Sequence, residues 1–170
     1  DAAAATRQIV DHLVRQGRSR FVYLSGRASS HIDKRRQNWF SQALHQHGLS
    51  FQVVEHGDYS YESGFKESVL LLRRMRPDVL VCANDLMAIG GRDAAALLGL
   101  RVPLDLAIVG HDGVALAAWE SHSITTIMAP PGVVSGALAE QIELPRGVRP
   151  DRRIIDCVVR WGSSAHMDIA

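Results

Sequence analysis

Cysteine is scarce in this sequence, with only 2 in 170 residues. Cys82 and Cys157 each sit inside an apolar run, Val79–Cys82 and Ile154–Val159. That is how a small buried hydrophobe is placed, and it speaks against a disulfide framework or a thiolate metal site. Long apolar runs are missing too, since none approaches the roughly 20 residues needed to span a bilayer. The opening Asp1-Ala2-Ala3-Ala4-Ala5 lacks the charged-then-apolar order of an export signal. Nor does one sign of charge dominate: 19 Lys plus Arg face 18 Asp plus Glu, for a net charge of +1. Although 17 of the basic residues are arginine, a balance this even excludes a surface made mainly to hold phosphate backbones. These absences predict a cytoplasmic protein with no membrane partner and no direct hold on nucleic acid.

What is present is a chain that is 46% hydrophobic, long enough to bury a core without staples. Its hydrophobic period alternates between helical stripes and short β-branched runs, which predicts an α/β domain. Helices are expected at Ala3–Gln16, Lys34–His47, Tyr61–Arg76 and after Asn84-Asp85 as far as Gly99. Strands are expected at Arg20–Leu24, Leu49–Val54, Asp78–Cys82, Leu106–Val109 and Thr125–Met128. Gly110-His111-Asp112-Gly113 reads as a turn, and Ala115–Trp119 as a short helical piece. Beyond Pro130-Pro131 come a helix at Val133–Ile142, an irregular stretch Pro145–Arg153, a strand at Ile154–Arg160 and a disordered tail from His166. The fold class is a three-layer α/β sandwich with a mostly parallel sheet.

In such sheets ligands lie beyond the carboxyl ends of the strands. Those positions hold Ser25-Gly26, Gly57-Asp58-Tyr59, Ala83-Asn84-Asp85 and Gly110-His111-Asp112. One aromatic face among amides and carboxylates suits a sugar or a heterocycle, because rings stack while hydroxyls and ring nitrogens need polar partners. Arg35, at the start of the following helix, supplies a guanidinium.

Three ordered motifs carry a family resemblance: Val81-Cys82-Ala83-Asn84-Asp85-Leu86-Met87-Ala88-Ile89-Gly90, Gly99-Leu100-Arg101-Val102-Pro103-Leu104-Asp105-Leu106-Ala107-Ile108-Val109-Gly110-His111-Asp112 and Ser123-Ile124-Thr125-Thr126-Ile127. They resemble the lactose/galactose repressor (LacI/GalR) family of bacterial transcription regulators. The resemblance extends further, from Leu13-Val14-Arg15-Gln16-Gly17 through Arg35-Arg36-Gln37-Asn38-Trp39 and Gly57-Asp58-Tyr59-Ser60-Tyr61-Glu62-Ser63-Gly64-Phe65 to Val159-Arg160-Trp161-Gly162-Ser163-Ser164. The resemblance implies the effector-binding part of such a repressor, a periplasmic-binding-protein-like fold of type I, incomplete here and chiefly its C-terminal lobe. It implies that Arg35, Tyr59, Asn84 and Asp112 hold a small-molecule effector of the sugar, polyol or purine class. His31, Asp58 and His111 stand as secondary contacts. It also implies a homodimer joined near Ile89 and Trp119, and operator DNA reached only through a headpiece outside these residues. Asn38 replaces a usual glycine, Gly113 a second aspartate, and His111 an aromatic.

On this reading residues 1–18 form a helix that normally packs on an absent N-terminal lobe, so its apolar face, like that of Val133–Ile142, lacks a partner. Residues 19–128 form the effector-binding lobe, 129–153 a crossover, 154–165 a returning strand and 166–170 the tail. The second reading is an extracytoplasmic sugar-binding receptor of the same fold. Catalysis is not expected: no Gly-x-Ser-x-Gly elbow accompanies His111-Asp112, and the first strand ends without the acidic pair a phosphoreceiver needs for magnesium. Gly90-Gly91 lies within a helical stripe and not at a dinucleotide-binding turn. His45-x-His47 lacks further ligands, so neither a metal nor a cofactor is expected.

Overall fold

A computed structural model describes residues 1–54, 57–142 and 153–166. The elements run α1 (Ala3–Arg15), β1 (Phe21–Leu24), α2 (His31–His45), β2 (Phe51–Val54), α3 (Tyr61–Met75), β3 (Val79–Cys82), α4 (Asp85–Leu97), β4 (Ala107–His111), a 3-10 turn (Ala115–Ala118), β5 (Thr125–Met128), α5 (Val133–Ile142) and β6 (Val158–Arg160). The six strands are ordered β2-β1-β3-β4-β5-β6. All neighbours are parallel except β5 and β6. α1 packs on α2 and α3 on α4, the two pairs that the usual right-handed crossovers would set on opposite faces of the sheet.

β1, β3 and β4 are buried along their whole length, as expected of strands covered on both faces. α3 and α4 meet through glycine: a methyl group on Gly64 would lie 2.4 Å from the Met87 backbone. α3 starts where the Ser60 hydroxyl accepts the Ser63 N–H at 3.0 Å and itself donates to Asp58 at 2.6 Å. Ser60→Ala should therefore cost about 1 kcal/mol of stability. Urea denaturation measures this, and an unchanged midpoint would show that another group takes over the cap.

Several expectations are corrected. α1 does have a partner in this lobe, because Ile9, Val10 and Leu13 are fully buried against the same core, and the helix contacts α2 and β6. α5 differs, with no buried residue. β4 runs on through Gly110 and His111, which pair with Thr126 and Ile127 of β5. The turn is confined to Asp112 and Gly113, whose φ angles are 99° and 73°. The last strand begins only at Val158, because the Cys157 N–H is drawn aside to the Asp1 carbonyl at 2.7 Å. His166 belongs to the folded body, its ring stacked on His12 with centroids 5.2 Å apart. The Pro145–Arg153 stretch lies, except for Arg153, outside the described residues, as do 167–170.

Candidate ligand site at the strand ends

The strand order reverses between β1 and β3, so the segments after β1, β3 and β4 leave the sheet around one crevice. Ser30 caps α2 by accepting the Asp33 N–H. That start turns Asp33, Phe40, Ala43 and Leu44 inward, the spacing of one helical stripe. The same phase carries Arg36 to the crevice. Its guanidinium donates to the Ala83 carbonyl at 2.5 Å and pairs with Asp112 at 2.5 Å. Arg35 lies on the exposed face of α2, and no described residue pairs with it. The fold thus brings Arg36, and not the expected Arg35, to this crevice, on the helix whose fully buried aromatic is Phe40, 1% exposed.

Asp112 reaches Arg36 from a left-handed backbone at φ 99°, where its N–H donates to Ile127 at 3.0 Å. The Arg36 side chain is 17% exposed and that of Asp112 42%, so the pair has one side in the protein and one open. Tyr59, after β2, is also left-handed at φ 74°. Its ring covers Gly26, where a methyl group would come within 2.3 Å of the ring carbons. The Asn84 amide donates to the Tyr59 carbonyl at 2.9 Å, and its oxygen caps α4 through the Met87 N–H at 3.0 Å. Asn84 therefore locks the Tyr59 turn to the end of β3, and its amide oxygen is spent on the cap.

Asp58 is engaged locally. It accepts from the backbone and hydroxyl of Ser60, and these bonds hold its carboxyl down at about 2. His31 is exposed at the first position of α2. His111 is buried beneath the site at 2% exposure, its ring edge-on to Phe40 at 5.9 Å. Burial, reinforced by the Arg36 charge, pushes its imidazole down to about 3, so the ring is neutral at physiological pH.

Two carboxylates missed as structural supports brace this crevice. Asp33, 1% exposed, accepts from Tyr23 Oη at 2.6 Å, Ser25 Oγ at 2.5 Å, the Gly26 N–H at 3.0 Å and Gln37 Nε2 at 3.3 Å. It fastens the end of β1 to α2, and the signal for it was Ser30-x-x-Asp33, a helix-start spacing. Asp85 is fully buried and accepts the Val114 N–H at 2.9 Å, pinning the turn that carries Asp112. Burial raises its carboxyl to about 6. Of the residues expected at a subunit contact, Ile89 lies in the chain's own core at 2% exposure, whereas Trp119 is 60% exposed.

The model of the periplasmic binding protein-like domain matches residues 10–161, and the chain belongs to that family. Its relatives are repressors, in line with the sequence resemblance. The HTH-type transcriptional repressor PurR of Yersinia enterocolitica is 34% identical over 122 residues, which is 70% of this chain and 36% of the relative. PurR of Actinobacillus pleuropneumoniae is 32% identical over 119 residues, 68% of this chain and 35% of the relative. The chain thus spans about a third of the length of the curated relatives it matches. Among solved structures, the lac repressor dimer bound to operator and the anti-inducer ONPF superposes with a TM-score of 0.80 at 26% identity, over 96% of this chain and 50% of that one. A LacI-family regulator from Corynebacterium glutamicum gives 0.78 at 27%, over 95% of this chain and 64% of that one. No described helix is long and apolar enough to cross a membrane.

Proposed function

We propose that this chain is the C-terminal effector-sensing lobe of a bacterial DNA-binding transcriptional regulator, and that it binds a small polar molecule of the sugar, polyol or purine class. The observation that carries this reading is the half-open Arg36–Asp112 pair at the switch point, in a crevice where Asn84 ties the Tyr59 turn to the end of β3. An adjacent donor fork and carboxylate present both halves of what a hydroxyl pair or an amide edge requires. The ligand closes against a second lobe, for which α5 offers exposed Val133, Val134 and Leu138. Such closure biases a two-state equilibrium by its differential affinity and resets the spacing of DNA-binding headpieces. The regulator acts in the cytoplasm as a homodimer with Trp119 at or near the contact, and it catalyses nothing. Repressor relatives favour this reading over an extracytoplasmic receptor.

Calorimetric titration of the intact regulator with a panel of sugars, polyols and purines tests the proposal. Arg36→Ala should weaken the binding partner found in that panel by roughly 10- to 100-fold, the value of a charge-assisted contact. Arg35→Ala should change affinity by less than about threefold, as for a solvated surface charge. Equal losses in both variants, or none in Arg36→Ala, would remove the site from this crevice.

A further inference from the structure

The pole opposite the crevice, where the strands begin, carries an arginine-lined trough to which the proposed effector function gives no task. One groove, of about 430 Å³, runs between the ends of α3 and α4. Its apolar floor is Leu72, Pro77, Leu98 and Leu100, with Arg73 and Arg76 on the rim and Asp105, its carboxylate held by Arg101, at one side. A second groove, of about 340 Å³, follows the start of β2 past Phe51 and Met75. The two share Arg20 and Pro77, so they adjoin.

The charges here are unequal in standing. Arg20 is paired with Asp78 at 2.5 Å and Arg101 with Asp105 at 2.7 Å, while Arg18 donates to the Pro103 and Leu104 carbonyls. Arg73 and Arg76 are exposed, and no described residue pairs with either. Arg76 also ends α3 in a left-handed conformation, φ 47°, where glycine is the unstrained choice. A bulky cation kept at a position of local strain, beside an apolar groove, is an arrangement that stability alone does not explain.

We propose that this trough docks an extended acidic segment of another protein, with an aliphatic side chain in each groove and neighbouring carboxylates on Arg73 and Arg76. Two adjoining pockets outreach a phosphate or a dicarboxylate, which would leave the floor uncovered. A nucleic acid strand would need more than two uncompensated cations. β2 is the outermost strand, so its free edge runs beside the second groove for an extended chain to follow.

The test uses the intact regulator and the fluorescein-labelled hexapeptide Glu-Leu-Glu-Glu-Leu-Glu, read by anisotropy. Binding should weaken at least about tenfold when Arg73→Glu and Arg76→Glu are combined, and it should weaken on raising salt from about 50 to about 300 mM. Arg76→Gly separates the two roles of that residue: the melting temperature should rise as strain is relieved, while the probe binds more weakly. An all-glutamate hexapeptide should bind at least about tenfold worse than the leucine-bearing probe. Equal binding of the two peptides, indifference to the charge reversal, or displacement by millimolar inorganic phosphate would each overturn the proposal, the last by revealing a simple anion site.

Discussion

Gly90→Ala should lower the stability of this lobe by about 3 kcal/mol, although alanine is the better helix former. A methyl group at Gly90 would sit 2.4 Å from the Tyr61 carbonyl oxygen and 2.5 Å from the Phe65 nitrogen. These are backbone atoms of α3, so no rotamer change relieves the clash. The helices must separate, and Gly64 meets the Met87 backbone from the other side with equal closeness. The propensity gain of about 1 kcal/mol offsets only part of the lost packing. For a domain of this size the melting temperature should fall by roughly 6–12 °C. Gly99→Ala is the control: its surroundings are open, so only its φ of 71° opposes a side chain, at about 1 kcal/mol. Similar midpoints for the two variants in urea would show that α3 and α4 have slack at this contact.

His111→Phe should change how stability depends on pH. His111 is neutral in the fold down to about pH 3, whereas the unfolded chain takes up that proton near 6.5. Its contribution to stability is therefore lost as pH falls from 6.5 toward 3, at about 1.4 kcal/mol per pH unit. Asp85 acts in the opposite direction. With its carboxyl raised to about 6 in the fold against 3.9 unfolded, acidification from 6 to 4 favours the folded state. The two nearly cancel between about pH 4 and 6. Removing the imidazole leaves Asp85 unopposed, so on going from pH 7 to pH 5 the variant should gain about 2 kcal/mol relative to the parent. The Asp58, Asp78 and Asp105 carboxyls, held low by their hydrogen bonds, titrate below this window. His12, lowered mainly by burial, is common to both proteins and cancels. Parallel pH profiles would mean that His111 finds a partner for its proton inside the fold.

Much of the architecture was legible because parallel strands buried on both faces read as continuous apolar runs, as in Val79–Cys82, and glycines mark the ends of several helices. The bounds of β5 and α5 fell where periodicity put them. The errors have physical origins. The doublet Arg35-Arg36 admits either member, and a helix read as starting at Lys34 gives no phase that favours the second. The Ser30 cap sets the start at His31 and turns Asp33 and Phe40 inward, a phase that leaves Arg36 and not Arg35 at the crevice. Asp33 and Asp85 escaped as structural supports because a buried carboxylate is recognisable only from donors distant in sequence, such as Tyr23 and Val114. The Asn84 tether to Tyr59 likewise depends on a loop geometry that no local pattern encodes.

The segment after β6 threads back under the sheet. The Ser164 hydroxyl donates to Ile108 at 2.6 Å and accepts the Thr125 N–H at 2.8 Å, while Trp161 and His166 close over His12 of α1. During synthesis α1 is made about 150 residues before these groups. At roughly 5–20 residues per second the helix waits about 8–30 s for its cover. Over that interval His12 stands open at the ribosome, and it is covered only when β6 and the segment after it have emerged.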